Sequence, residues 1–320
     1  MFVGEWWVDN EGTHMKNTIK AVALGLSLLL ANVCVSYAQD FQKGFEAYNA
    51  GDYATALKEW RPLADQGDAE AQFYLGRIYN KGQGVTQDYK EAVRLYSLAA
   101  AQGNDRAQNN LGLLYRDGLG VKQDYNEAVR LTKLAAAQGN AIMQNNLGNM
   151  YAHGQGVTQD YKEAMKWYRL AAEQGDMQAQ SIIGFMYDEG NGVTQDYKEA
   201  MKWYRLAAEQ GDAFTQHLLG NRYTKGQGVT QDHKEAVKWY RLAAEQGDAG
   251  AQNLLGFMYA MGDGVRRSDV YAHMWWNIAA SNGEALAVKN RDYVAKKMTA
   301  AEIRKAQRLA RECVKNYKGC

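Results

Sequence analysis

A period of 36 residues governs this chain. Gly67, Gly103, Gly139, Gly175, Gly211, Gly247 and Gly283 bound six consecutive units from Asp68 to Gly283, without one insertion or deletion. A unit this short cannot bury an apolar face by itself, so neighbouring copies must stack and share their core. The segment Gly156–Asp176 is identical to Gly192–Asp212, and Gly228–Asp248 differs from them only at His233 and Val237. That near-identity marks internal duplication.

Each unit reads as two antiparallel helices. In the first, Asp68 is a natural N-cap after Gly67, and Ala71, Leu75 and Tyr79 recur at helical spacing. Gly82 and Gly84 interrupt that pattern and can take positive φ. Asp88 and Glu91 form a D-x-x-E signal, expected to act as a capping box, for a second helix with Ala92, Leu95, Tyr96, Ala99 and Ala100 on one face. It stops at Gln102-Gly103, where glycine ends the helix. The chain has a single proline, Pro62, so helices meet no breaker in the repeats, while Pro62 is expected to kink or interrupt its own helix. The fold class is all-α, a solenoid of helix-turn-helix repeats.

Both ends depart from the pattern. Residues 39–67 form an N-terminal capping helix pair, Phe41 to Ala50 and Tyr53 to Gln66, ahead of the six units over 68–283. Residues 284–320 form C-terminal capping helices, the last opened by a Thr299/Glu302 capping box and carrying Ile303, Ala306, Leu309, Ala310 and Cys313 on its apolar side. Near the start, Lys16 and Lys20 precede the apolar run Ala21–Val33, and Ser36-Tyr37-Ala38 supplies small residues for a signal peptidase. This predicts a signal peptide over 15–38, cleaved after Ala38, with residues 1–14 a start-site extension. The run is shorter than the roughly 20 residues a membrane span needs, so the expected product is periplasmic or secreted, with no stable membrane insertion after cleavage. Cys34 leaves with the signal, and Cys313 and Cys320 can then pair in an oxidising compartment.

Internal comparison sorts the positions of the repeat. Residues identical in every copy serve what copies share, which is stacking: the glycines from Gly76 to Gly256, the alanines from Ala92 to Ala272 and the glutamines from Gln72 to Gln252. Residues that change are free to serve a partner. Two such columns on the first helix, one turn apart, supply the candidate binding face: Phe73, Asn109, Asn145, Ser181, His217 and Asn253, then Arg77, Asn149, Phe185, Asn221 and Phe257. Asparagine amides both donate and accept hydrogen bonds, and interleaved with phenyl rings they suit an extended peptide or protein segment, or an envelope glycan. A net charge of +1 with both signs interspersed offers no basic field for nucleic acid.

The motif A-Q-x-x-L-G-x-x-Y, then G-x-G-V-x-x-D, then A-x-x-W resembles the Sel-one-like repeat family, a relative of tetratricopeptide repeats. Ala179-Gln180, Ile183-Gly184, Tyr187, Gly190, Gly192-Val193, Asp196, Ala200 and Trp203 carry it. The resemblance implies a right-handed superhelix, adaptor or scaffold roles, and a concave groove lined by the two variable columns. It also brings in an enzymatic alternative, since some secreted members are described as penicillin-binding proteins or weak β-lactamases. The residues do not support that chemistry. No serine is followed three residues later by lysine, no K-T-G occurs, and His153, His217, His233 and His273 lack metal-ligand spacing. The expectation is a non-enzymatic scaffold without metal or cofactor.

Overall fold

The computed structural model describes residues 40–316. The start-site extension, the signal segment with its cleavage site, and Cys320 lie outside them. Among the described residues every regular element is a helix. After α1 (residues 40–49) and α2 (Tyr53–Asp65), A helices alternate with B helices. The A helices are α3 (Ala69–Lys81), α5 (Asp105–Asp117), α7 (Ala141–His153), α9 (Met177–Glu189), α11 (Ala213–Lys225) and α13 (Ala249–Met261). The B helices are α4 (Tyr89–Ala101), α6 (Tyr125–Ala137), α8 (Tyr161–Glu173), α10 (Tyr197–Glu209), α12 (His233–Glu245) and α14 (Asp269–Ser281). The chain closes with α15 (Ala285–Ala295) and α16 (Ala300–Lys315).

Two compact units divide the chain, one ending at Ala135 and the other beginning at Ala136, within α6. In the first, α2 packs on α3, α3 on α4 and α4 on α5. In the second, each helix from α7 to α14 packs on the next, and α14 also packs on α15 and α16. This is the all-α helical repeat solenoid that the period demands.

Local chemistry starts and stops each helix. Asp176 caps α9 by accepting from Ala179 N at 2.7 Å. Gly190 ends that helix in the left-handed region at φ +75°, and Gly192 follows at φ +71°, where an added Cβ would lie 2.6 Å from Tyr161 Cβ in the preceding repeat. The first glycine of G-x-G therefore serves the turn, and the second the contact between repeats. Asp88 caps α4 through the backbone N–H groups of Lys90 and Glu91, but Glu91 does not complete the expected capping box. Its carboxylate accepts instead from Arg94 one turn on, at 2.7 and 2.8 Å. At the C-terminal end the capping box of Thr299 and Glu302 is present.

The expected break at Pro62 does not occur. α2 runs through it to Asp65, with Leu63 and Ala64 buried beyond it. Pro62 itself is exposed, and burial of the residues that follow holds the last turn despite the missing N–H.

Inside five of the six helix pairs, the invariant glycine of the A helix receives a large ring from the B helix. A Cβ at Gly184 would lie 2.5 Å from Tyr204, at Gly148 2.6 Å from Tyr168 and at Gly76 2.8 Å from Tyr96. These tyrosines are almost wholly inaccessible. Only a residue without a side chain lets the helix axes close over a ring that is worth roughly 1.5 to 3 kcal/mol when buried.

A chain of amides fastens one repeat to the next. Gln180 Nε2 donates to Ala172 O at 3.1 Å, and its Oε1 accepts from Gln210 at 2.8 Å. Gln144 with Gln174 and Gln216 with Gln246 repeat the arrangement in the second unit, as Gln72 with Gln102 does in the first. The glutamine column is scaffold, because a buried amide must have its donors and acceptor met.

Gly184→Ala is expected to cost about 1 to 3 kcal/mol by overpacking. Gly112→Ala should cost less, because Thr132 replaces the tyrosine there and the added Cβ would sit 3.2 Å from Thr132 Oγ1. Equilibrium urea unfolding of the two variants measures the difference, and equal losses would remove the glycine–ring contact as the reason for that column.

Candidate functional site

The variable columns lie on the A helices, and the structure treats them differently. In the first unit Phe73 is buried against the rings of Tyr74 and Tyr96, with the Arg106 guanidinium 4.6 Å above it. Asn109 is buried as well, and Arg77 is half-buried with its guanidinium 5.5 Å from the Tyr48 ring. In the second unit Asn145 is buried and donates to Gln178 at 3.3 Å, while buried Asn253 accepts from Asn290 at 3.1 Å. His217 sits 2.9 Å from Asp248 through Nδ1 and edge-on to Tyr240. Ser181 is half-buried.

Phe73, Asn109, Asn145 and Asn253 therefore cannot receive a partner from solution, contrary to the sequence expectation. The reason is geometric. Asn145, His217 and Asn253 each reach a residue 31 to 37 positions further on, so this column varies while filling the joint between repeats.

The second column keeps its accessibility in the second unit. Phe185 and Phe257 are 44% and 41% exposed, and Asn149 and Asn221 are half-buried. The same helices expose four further apolar side chains that the sequence reading passed over: Ile142 at 58%, Phe214 at 55%, Met261 at 71% and, on α15, Tyr293 at 62%. Their signal was available, since Tyr293 stands 36 residues after Phe257 and Phe214 stands 72 after Ile142.

Elsewhere the copies depart from their common pattern for internal reasons. Position 222 is Ile, Leu or Met in the other five repeats, and Arg222 there pairs with buried Asp188 of the preceding repeat. Burial holds the Asp188 carboxyl above its ordinary range, against the pull of Arg222. Tyr204 also donates to Asp188, at 3.5 Å, and Arg222 lies 5.3 Å from the Tyr197 ring. Likewise His273 replaces the Val or Met of every other copy and is buried with Nδ1 unpartnered. Burial, with help from Arg291 and against Asp292, depresses its pKa below the ordinary 6.5.

A leucine shared by five of the six copies does not serve stacking. Leu98 and Leu134 in the first unit, and Leu170, Leu206 and Leu242 in the second, recur in five copies yet stay 42–45% exposed on the B helices. For chemistry the second unit offers little. His153 bonds to Asn149 O of its own helix at 2.9 Å, and among the described residues no group of three or more His, Cys, Asp or Glu could hold a metal. Cys313 is buried and disulfide-bonded. Cys320, the partner expected from the sequence, lies outside the described residues. Among those residues no helix is long and apolar enough to cross a membrane.

The Sel1 repeat model matches residues 69–104, 105–140, 141–176, 178–212, 213–248 and 249–284 in succession. The chain belongs to the Sel1 repeat family. It is similar to a solved Sel1 repeat protein from Oxalobacter formigenes, with 38% identity, a TM-score of 0.68, and coverage of 75% of this chain and 99% of that one. It is also similar to c5321, a protective antigen present in uropathogenic Escherichia coli strains displaying an SLR fold, with 31% identity, a TM-score of 0.53, and coverage of 88% of this chain and 69% of that one. No curated protein matches it. Sel1 repeat proteins are in general protein-interaction scaffolds and typically non-enzymatic.

Arg222→Met should destabilise by about 3 to 5 kcal/mol, since it leaves Asp188 buried without its cation. Adding Asp188→Ala, the residue of the repeat before, should return stability to within about 1 kcal/mol of wild type. Chemical denaturation of the single and double variants checks both. His273 has a lowered pKa when folded, so the unfolded chain takes up the proton first as pH falls below 6.5. Its contribution is whole above that value and is lost on acidification through the window below it. Between about pH 7 and pH 5 the melting temperature of His273→Met should fall less steeply than that of wild type, and parallel curves would contradict the assignment.

Proposed function

We propose that this Sel1 repeat protein is an exported scaffold that holds a protein or peptide segment on the A-helix face of its second unit. One observation carries the reading: Ile142, Phe185, Phe214, Phe257 and Met261 on consecutive A helices, and Tyr293 on α15, are all more than two-fifths exposed. The corresponding face of the first unit is polar: Glu70 and Arg106, at the positions of Ile142 and Phe214, pair with each other with side chains 43% and 40% exposed, and Arg77 stands where Phe185 and Phe257 do. Aromatic side chains lose little rotamer freedom on binding and supply large contact areas, which is why they concentrate the energy of protein interfaces. Export rests on the short apolar run Ala21–Val33 followed by Ser36-Tyr37-Ala38, and it places the partner in the periplasm or outside the cell.

The face needs no turnover. Three of the described serines are engaged locally: Ser97 Oγ with Val93 O at 2.7 Å, Ser281 Oγ with Ile278 O at 2.7 Å, and Ser268 Oγ in capping α14. A photo-crosslinking residue placed at Phe257, and separately at Leu206 on a B helix, tests the reading in cells that export the protein. Adducts are expected from position 257 and should weaken at least tenfold when Phe185 is changed to alanine, about 1.4 kcal/mol of contact. Adducts that form only from position 206 would move the partner to the B-helix face and overturn the proposal.

A further inference from the structure

One position on α2 and the B helices reads Arg61, Ser97, Lys133, Arg169, Arg205 and Arg241 in succession. The position four residues on reads Asp65, Ala101, Ala137, Glu173, Glu209 and Glu245. Arginine with an acid one turn further on thus occurs four times. Of these six pairs only Ser97 and Ala101 are both small.

Each of the four arginines makes the same contact. It reaches the A helix that follows and donates to a tyrosine hydroxyl: Arg61 to Tyr79 at 3.2 Å in the first unit, and in the second Arg169 to Tyr187, Arg205 to Tyr223 at 2.7 Å and Arg241 to Tyr259 at 2.9 Å. Ser97 does not make it. Its Oγ donates back to Val93 O at 2.7 Å. The hydroxyl of Tyr115, which stands where Tyr79 and Tyr187 do, has no hydrogen-bond partner among the described residues.

The loss of bulk leaves a cavity. The recess lined by Arg61 and Asp65 holds about 140 Å³, whereas the recess lined by Ser97 and Ala101 holds about 440 Å³, with all of its walls in the first unit. Only the larger lies in the range of about 300 to 1,000 Å³ usual for ligand pockets. The other walls correspond: Leu75, Tyr79 and Leu95 in the smaller recess become Leu111, Tyr115 and Leu131 in the larger. Half-exposed Leu98 and Leu134 complete the two. Each recess also holds one two-pronged ion pair, Glu91 with Arg94 and Glu127 with Arg130. The smaller one therefore shows that a further guanidinium is accommodated beside such a pair.

We propose that the recess at Ser97 is a binding site for an arginine side chain of a partner protein, which takes the place that the chain's own arginine fills beside Tyr79, Tyr187, Tyr223 and Tyr259. The guanidinium donates to the Tyr115 hydroxyl, which is free to accept, and the methylene stem lies along Leu111 and Leu134, as arginine stems do on apolar surface. An apolar side chain would fill the space and leave the hydroxyl unmet. Lysine offers a point charge on a flexible stem in place of the planar fork that this position already uses elsewhere in the chain. The site lies in the first unit on the B-helix side, so it stands apart from the A-helix face of the second.

NMR of the full mature protein with labelled leucine methyl groups tests the proposal. The probe is N-acetyl-arginine methylamide, and the controls are its citrulline, lysine and glutamate analogues and methylguanidinium. The arginine probe should give saturable shifts at Leu111, Leu131 and Leu134. It should bind about fivefold more tightly than the citrulline analogue, which keeps the shape and loses the charge, and more tightly than the other controls. Tyr115→Phe removes the acceptor and should weaken it about three- to tenfold. Ser97→Arg combined with Ala101→Asp rebuilds the pair found at Arg61 and Asp65, and should abolish the shifts while circular dichroism stays unchanged. The comparison between probes needs no variant and stands even where one fails to fold. No saturable shift at these leucines, a folded double variant that still binds, or Tyr115→Phe that binds like wild type would each overturn the proposal. So would any control that matches arginine: glutamate would make the recess an acid site, and methylguanidinium would make its ligand a small solute with no use for the stem.

Discussion

The packing of this fold rests on aromatic rings lying over glycines. In five of the six helix pairs the A helix gives up a side chain at one position so that the B helix can lay an aromatic ring against its backbone, as Tyr204 does over Gly184. The contact sets the separation and rotation of the two helices, and from that follow the depth of the alanine positions and the reach of the glutamine amides. Removing a ring would lose contacts across both helices at once, because protein interiors have no slack at the scale of a side chain. The ring also has a polar end. In the third and fifth copies its hydroxyl grips an asparagine on the exposed column, and in the fourth it joins the buried Asp188–Arg222 pair. One side chain therefore links the stability of the pair to the chemistry of its surface.

The copies are so alike that their differences carry most of the information. Differences such as Asp188 and His273, which are buried, and Arg222, which is half-buried, concern how repeats join. Phe185, Phe257, Phe214 and Met261 are instead left in water. Variation in a repeat protein thus has two physical meanings: a changed residue at a joint has a neighbouring copy as its partner, while a changed residue on an exposed face keeps much of its side chain in water. The charge pairs on the B helices, such as Arg94 with Glu91 and Lys166 with Glu163, are exposed and one turn apart, where ion pairs contribute little. They keep that surface solvated and decide nothing about the fold.

The architecture was legible because a strict period leaves few alternatives. Helix caps at Asp68 and Asp88, the glycine stops and the Thr299/Glu302 capping box all act through contacts within a few residues, which is the range over which a sequence pattern speaks clearly. Reading the site was harder. Phe73 and Phe185 both look like exposed variable aromatics, yet one is core and the other is surface. Their positions differ by four residues within the repeat, a single helical turn, and only the approach of the next repeat decides which of the two columns is covered. The tyrosines over glycine were likewise hard to rank in advance, because a B helix carries Trp167 and Tyr168 side by side and nothing local says which ring goes inward. Trp167 is half-buried, whereas Tyr168 is almost wholly inaccessible.

Sequence alone therefore determined the repeat, its helix pairs, their caps and the residues that all copies must share, since these follow from periodicity and short-range chemistry. Tertiary structure decided which variable positions are joints and which are surface, how Tyr168 and Tyr240 orient the amides of Asn149 and Asn221, and where Asp188 meets a cation 34 residues away. The physical reason is the same in each case. Exposure and the direction of a hydrogen bond depend on what a neighbouring helix brings close, and a one-dimensional pattern records spacing along the chain but not approach across it.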